Sequence, residues 1–235
     1  MQTVILAGGL ATRLRPLTND IPKSMIRVNG RPFLEYQLHL LLENKITDIV
    51  LCVGHLSQMI KAHFGNGKRF GVNIRYSDEG ENLLGTAGAL KRAEPLLEDQ
   101  FLLLYGDSYL PFDYQAVWSY SRSCPESCVL AVYRNHNRYD NSNVAIVDGL
   151  VSAYDKSNPG GKFIHIDAGL SVLRKCFLSR IPANRTFPLD ALYKKIIEEK
   201  KMLAYEVRRR FYEIGSPRGL IDFERLMRSK PAVAV

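Results

Sequence analysis

Apolar residues gather into short runs at the start of the chain, separated by longer stretches with helical spacing. Residues 3–7 form a β-branched run closed by Gly8-Gly9, which predicts a buried strand followed by a loop. Pro32 opens a helix whose Leu34, Leu38, Leu41 and Leu42 share one face. Residues 48–53 predict a second buried strand, ended by Gly54, and Ser57 is placed to N-cap a short helix carrying Ile60 and Phe64. Residues 72–76 read as a strand, 86–97 as a helix, and 101–105 as a strand running into Gly106-Asp107. Strand alternating with helix predicts an α/β fold: a mainly parallel sheet with helices on both faces.

Beyond this point strand patterns dominate, at residues 128–133, 143–147, 151–154 and 164–173. Asp148-Gly149 between two of them is a hairpin signal. Residues 189–200 predict an amphipathic helix. Ser216-Pro217 starts a last one, with Leu220, Phe223 and Met227 on its apolar side. No linker divides the chain, so residues 1–235 read as one domain with an N-terminal half, 1–110, and a C-terminal half, 111–235.

Composition narrows the class. At 46% hydrophobic and 24% charged residues over 235 positions, the chain can bury a full core without a disulfide or metal staple. No apolar run is long enough for a membrane span, and residues 1–6 lack the basic flank of a secretory leader. The expected location is the cytoplasm. Cys52, Cys124, Cys128 and Cys176 show no zinc-like spacing and read as free thiols. The net charge of +8 suits anionic ligands. Arg208-Arg209-Arg210 reads as a solvated cluster, and no basic stripe interleaved with aromatics points to nucleic acid.

The densest chemistry lies in residues 6–25. Gly8 and Gly9 fall just past the first strand, at the sheet edge where open α/β folds bind ligands, and glycine lets backbone N–H groups approach a phosphate. Arg13 and Arg15 can grip phosphate oxygens in a planar fork, and Lys23 adds a compact charge. The stretch is neither a Walker A loop nor the Gly-x-Gly-x-x-Gly fingerprint. Asp107, ending a buried strand, offers a hard oxygen ligand suited to Mg²⁺; a turn-forming Asp is the plainer alternative. Glu213, ahead of the last helix, is either a second carboxylate for that ion or a loop residue. Asp155-Lys156 and Asp167-Ala168-Gly169 offer a cation for a sugar phosphate and carboxylates for hydroxyls, or simply hairpin-end polarity.

Together these segments resemble the sugar-1-phosphate nucleotidyltransferase family, whose signature is similar to Leu-Ala-Gly-Gly-x-Gly-Thr-Arg-Leu-x-Pro-Leu-Thr followed by Pro-Lys-Pro-Met. Here Ala11 stands for the third glycine and Ser24 for the second proline. Gly85-Thr86-Ala87-Gly88 resembles the family's base-binding turn, and Gly106-Asp107 its metal motif. Asp155-Lys156 resembles a Glu-Lys pair holding the sugar and its phosphate. Asp167-Ala168-Gly169 resembles an Asn-Ala-Gly segment. Residues 212–217 resemble Trp-x-Asp-Ile-Gly-Thr-Pro with Glu for the metal-binding Asp.

The resemblance implies a Rossmann-like sheet of the glycosyltransferase-A style, without a C-terminal β-helix. It implies nucleotide contacts at Leu6, Ala7, Gly8, Gly9, Gly85, Thr86 and Gly88. Sugar-phosphate contacts fall at Asn143, Asp155, Lys156, Asp167 and Gly169, metal ligation at Asp107 and Glu213, and Mg²⁺ is the cofactor. The implied reaction joins a nucleoside monophosphate to a sugar 1-phosphate and releases pyrophosphate. GTP and a heptose or hexose 1-phosphate are favoured, with UTP or CTP as alternatives. Arg13 would hold the β and γ phosphates and Lys23 the α phosphate, with no covalent enzyme intermediate. Partners are these two substrates, not nucleic acid or membrane, and a homo-oligomer stays open. A catalytically silent nucleotide-sugar sensor is the competing class, suggested by Ala11, Ser24 and Glu213. A glycosyltransferase would want an Asp-x-Asp motif that Asp107-Ser108-Tyr109 does not supply.

Overall fold

The computed structural model describes residues 1–157 and 163–229. Its centre is a nine-stranded mixed sheet. The N-terminal strands β1 (Gln2–Leu6), β4 (Asp48–Val53), β5 (Asn73–Asp78) and β6 (Gln100–Tyr105) pair in parallel, in the order β5-β4-β1-β6. The sheet continues through β11 (His165–Arg174), β8 (Cys128–Arg134), β12 (Met202–Val207), β10 (Leu150–Tyr154) and β9 (Val144–Val147). In this second half only β8–β12 is parallel; β6–β11, β11–β8, β12–β10 and β10–β9 are antiparallel.

The apolar runs of the parallel strands are continuous because both faces are covered. On β1, Val4 enters one core with Leu90, Leu103 and Leu192, while its neighbour Ile5 enters the other with Leu34, Leu51 and Leu104. Helices α3 (Gly85–Ala93) and α5 (Leu189–Glu198) cover the first face; α1 (Phe33–Glu43), α2 (Ser57–Phe64) and α4 (Tyr114–Ser123) cover the second. A third, smaller core lies beside the sheet. There α6 (Pro217–Ser229) seats Phe223 against Phe33 at 5.0 Å and Tyr109 at 5.0 Å, with Leu14 and Ile214 alongside. Two short ribbons complete it: β2 (Arg27–Val28) with β3 (Arg31–Pro32), and β7 (Ser108–Tyr109) with β13 (Tyr212–Glu213).

Several expectations shift. Leu56, not Ser57, is the residue before α2, and the Ser57 hydroxyl instead donates to Asp78 at 2.8 Å. The helix expected to run to residue 97 stops at Ala93 and tightens into a 3₁₀ turn over Glu94–Leu96, where Pro95 ends the α-helical hydrogen bonding. Ser216 does cap the last helix, its Oγ accepting from Gly219 N–H at 3.1 Å. Asp148 and Gly149 both take positive φ, as a tight hairpin turn requires. All four cysteines are free. Among the described residues no β-helix follows the sheet, and no helix is long and apolar enough to cross a membrane.

Candidate functional site

The chain runs from β1 to β4 on one side and returns, through β5 and α3, to β6 on the other side of β1. Such a switch opens a crevice at the carboxyl ends of β1 and β6. Gly106 makes that crevice: its N–H donates to Leu6 O at 2.9 Å, and a Cβ there would lie 2.6 Å from the same oxygen. No side chain fits between the two strand ends.

Two cavities flank this point and share Tyr105 and Asp107. The first, about 220 Å³, is lined by Leu6, Ala7, Gly8, Gly9, Lys23, Gly85 and Thr86, all named from the sequence. It is also lined by Cys52, Glu79, Leu83 and Ala89, which sequence reasoning missed. Glu79 follows β5 directly and is 7% exposed. Burial raises its pKa above the usual carboxylate value, against the Leu84 N–H that donates to Oε1 at 3.3 Å and the charge of Arg92. The only sequence signal was its position after a buried strand, which it shares with Asp107.

Gly88 lies outside this cavity. Its N–H and that of Ala87 donate to Phe187 O at 3.0 and 2.9 Å, and a Cβ would meet Leu84 Cβ and Arg185 O. The glycine serves close packing of α3 on the segment before α5, and that segment consumes the amides a base or phosphate would have used. Thr86 Oγ1 likewise accepts from Leu189 N–H at 2.7 Å.

The second cavity, about 340 Å³, is polar. Arg13, Asn143, Lys156, Asp167, Gly169, Asp107 and Glu213 line it, joined by Asp140, Asn141 and Phe211, which were not anticipated. Asp155 does not line it: its carboxylate turns back to accept from the N–H and Oγ of Ser157 at 2.8 and 2.6 Å. Asp167 is also less available than expected, for Oδ2 accepts from Tyr154 at 2.8 Å and Tyr105 at 3.3 Å, and Oδ1 from Gly169 N–H at 2.8 Å.

Charge converges where the cavities meet. Lys23 Nζ donates to Asp107 Oδ2 at 2.7 Å. A Cβ on Gly215 would find Asp107 Oδ2 at 3.2 Å, Arg13 Nη2 at 3.3 Å and Lys23 Nζ at 3.9 Å. The segment holding Gly215 is fixed by the β7–β13 ribbon, in which Ser108 lies opposite Glu213 and Ile214 N–H donates to Asp107 O at 2.9 Å. Ala11 bends the preceding loop in the left-handed region, φ 49°, where glycine is the easier residue, and Thr18 Oγ1 ties to its carbonyl at 2.9 Å. Ser24, beside Lys23, is buried, and its hydroxyl has no hydrogen-bond partner among the described residues.

Glu213 is the residue most changed by this setting. Burial raises its pKa first, and the negative charges of Asp107 and Asp140 raise it further, with Arg13 and Lys23 opposing. No hydrogen bond among the described residues reaches its carboxylate. A half-desolvated carboxylate beside a second one is a donor set that gains from a divalent cation. Among the described residues no group of three or more His, Cys, Asp or Glu side chains forms a closed cage. Two carboxylates with room for substrate oxygens suit Mg²⁺, which is commonly held by one or two carboxylates plus substrate phosphates.

Comparison with known proteins identifies relatives along the chain's length. The chain is 30% identical over 224 residues to D-glycero-alpha-D-manno-heptose 1-phosphate guanylyltransferase of Campylobacter jejuni, covering 95% of this chain and 98% of that one. It is 40% identical over 124 residues to a UTP–glucose-1-phosphate uridylyltransferase of Synechocystis, of which those residues span only 32%. The crystal structure of HddC from Yersinia pseudotuberculosis superposes with a TM-score of 0.79 at 26% identity, covering 96% of this chain and 99% of that one. The nucleotidyl transferase family pattern matches residues 2–142, and the chain belongs to that family, related along its length to sugar-1-phosphate nucleotidyltransferases.

Proposed function

We propose that the protein transfers a nucleoside monophosphate, preferentially from GTP, to a heptose or hexose 1-phosphate and releases pyrophosphate. The observation that carries this reading is the meeting of Lys23, Arg13 and Asp107 at Gly215, on the boundary between two cavities. The mostly apolar cavity with glycine walls suits a nucleoside, and the polar one suits a sugar phosphate. The attacking group is a phosphate oxygen already ionised at neutral pH, so no base is needed. The task is to hold two anions together and stabilise a crowded phosphorus centre.

In this reading Lys23 would act on the α phosphate and Arg13, on the polar side of the boundary, on the outer phosphates. Lys156, on the polar cavity, receives the attacking phosphate. Asp107 and Glu213 are the residues that would hold Mg²⁺, which when bound offsets repulsion between nucleotide phosphates and stabilises the leaving pyrophosphate. Lys23 is paired with Asp107, and substrate phosphate and metal would each take one member of that pair.

Glu79 supports the choice of guanine. A carboxylate accepts two adjacent donors, and guanine alone among the four bases presents N1–H beside an exocyclic amine on its pairing edge. The resemblance to a guanylyltransferase over 98% of its length points the same way, and the uridylyltransferase match over a third of its length opposes it. The test is a matrix of the four nucleoside triphosphates against sugar 1-phosphates, with and without Mg²⁺, read by pyrophosphate release. GTP should exceed the others about tenfold or more, roughly 1.4 kcal/mol in transition-state binding. Tight nucleotide-sugar binding without release in any combination would instead make the protein a sensor.

A further inference from the structure

Asp167 stands where its two oxygens are already engaged, and what they engage leads to Lys156. The residue lies on β11 where pairing with β8 slips between Asp167 and Ser171 and Gly169 takes φ 90°. Its side chain is 3% exposed. Tyr154 Oη and Tyr105 Oη both donate to Oδ2, Gly169 N–H donates to Oδ1, and Asn143 Oδ1 fixes the Asp167 N–H at 2.9 Å. Behind Tyr154 stands Tyr193, edge-on at 5.3 Å, its hydroxyl paired with Ser171 at 2.9 Å. Burial lifts the phenols of Tyr154 and Tyr193 well above their usual range, so both remain neutral.

The Lys156 ammonium rests on this cluster. Nζ lies 4.8 Å over the Tyr105 ring and 5.6 Å over the Tyr154 ring, donates to Tyr105 Oη at 3.4 Å, and stands 4.0 Å from Asp167 Oδ2. A flexible, half-exposed lysine is thereby given two aromatic faces and a buried counter-charge. Aromatic faces attract an ammonium, and a desolvated carboxylate does so more strongly than a solvated one.

We infer that Asp167 is a positioning residue: with Tyr105 and Tyr154 it seats the Lys156 ammonium on the wall of the polar cavity, rather than itself binding sugar hydroxyls. The inference rests on the proposal that Lys156 receives the attacking phosphate. Tyr105 also borders the apolar cavity, so the seat sets Lys156 at the boundary the reaction must cross.

Two readouts test it. In steady-state kinetics, Asp167→Asn and Tyr105→Phe should raise KM for the sugar 1-phosphate about tenfold or more, the scale of one hydrogen bond to a charged group. Asp167 lies outside the apolar cavity, so Asp167→Asn should leave KM for the nucleotide unchanged. Combined with Lys156→Ala, Asp167→Asn should add no further loss. A loss that persists in the Lys156→Ala background would return Asp167 to direct sugar contact and overturn the inference. The second readout needs no activity: acylation of Lys156 by an N-hydroxysuccinimide ester, followed by mass spectrometry of the intact protein's digest. Lys156 should react several-fold faster in Asp167→Asn and Tyr105→Phe than in the wild type, while Lys175 and Lys201 keep their rates. Unchanged Lys156 labelling overturns the seat even if catalysis is impaired. If the wild type releases no pyrophosphate with any substrate pair, the functional reading fails while the labelling still decides the seat.

Discussion

The two cavities are built by different means. The apolar one is assembled from main chain: the turn after β1, the Gly106 contact between β1 and β6, and the turn into α3. Its walls come from parallel strands adjacent in the sheet, and the side chains there are mostly small. The polar one is assembled from side chains on β11, on the segments just before β9 and just after β10, and around Glu213, which antiparallel pairing and the β7–β13 ribbon bring together. Backbone sites fail when atoms are added, side-chain sites when charges are removed. That difference orders the outcomes expected of substitutions.

The largest effect should come at the boundary. Lys23→Ala removes the charge that would act on the α phosphate as it gains a fifth ligand, so turnover should fall on the order of 10²-fold or more with nucleotide binding little changed. Near-normal turnover with a raised KM would assign Lys23 to ground-state binding and move it into the apolar cavity's share of the work. Gly106→Ala comes next. Its methyl would press on Leu6 O and Ala7 Cα, and the expected loss is about 1–3 kcal/mol, measured by urea unfolding, with weaker nucleotide binding. Wild-type stability there would show that the strand ends part easily and that the crevice is not held by close approach.

Glu213→Gln probes the side-chain cavity in two ways. Kinetically, the variant should need more Mg²⁺, and excess Mg²⁺ should restore part of the activity; superimposable titrations would remove Glu213 from the metal. Thermodynamically, the raised pKa means that the folded protein keeps a proton the unfolded chain has released. Stability from this group is therefore full below the ordinary carboxylate pKa of about 4.3 and is lost as pH rises through the folded value. Gln copies the protonated form. Without divalent cations, Glu213→Gln should melt above the wild type at neutral pH, with the gap closing toward about pH 4. A gap independent of pH would trace the effect to packing.

The smallest effect should be at Ala11. Glycine relieves the left-handed strain of about 1 kcal/mol but enlarges the unfolded ensemble, so Ala11→Gly should shift stability by less than about 1 kcal/mol. A thermal melt decides it. A large change in Mg²⁺-dependent rate at unchanged melting would show that the loop's motion, not its conformation, limits turnover.

The parallel half of the sheet was readable because each strand is a continuous apolar run flanked by a helix of 3.6-residue period. α4 was overlooked although Tyr114, Val117 and Ser121 share its buried face and Asp113 caps it, accepting from Ala116 N–H at 3.1 Å. β12 was overlooked because its burial is interrupted, with only Met202 and Val207 fully covered. The β7–β13 ribbon has two residues per strand and therefore no period to detect.

By itself the sequence determined the alternation of strands and helices, the glycine-rich turn with Arg13 and Lys23, and the carboxylates Asp107 and Glu213, since these depend on neighbours close along the chain. Tertiary structure decided which of them act together. It set Lys23 on Asp107 across 84 positions, brought Glu79 into the apolar cavity, turned Asp155 and Gly88 to local bonds and packing, and enclosed Asp167 between tyrosines from two strands, β6 and β10. The physical reason is that a buried polar group must find its partner wherever the fold supplies one, and that partner is fixed by strand order and register rather than by distance along the chain.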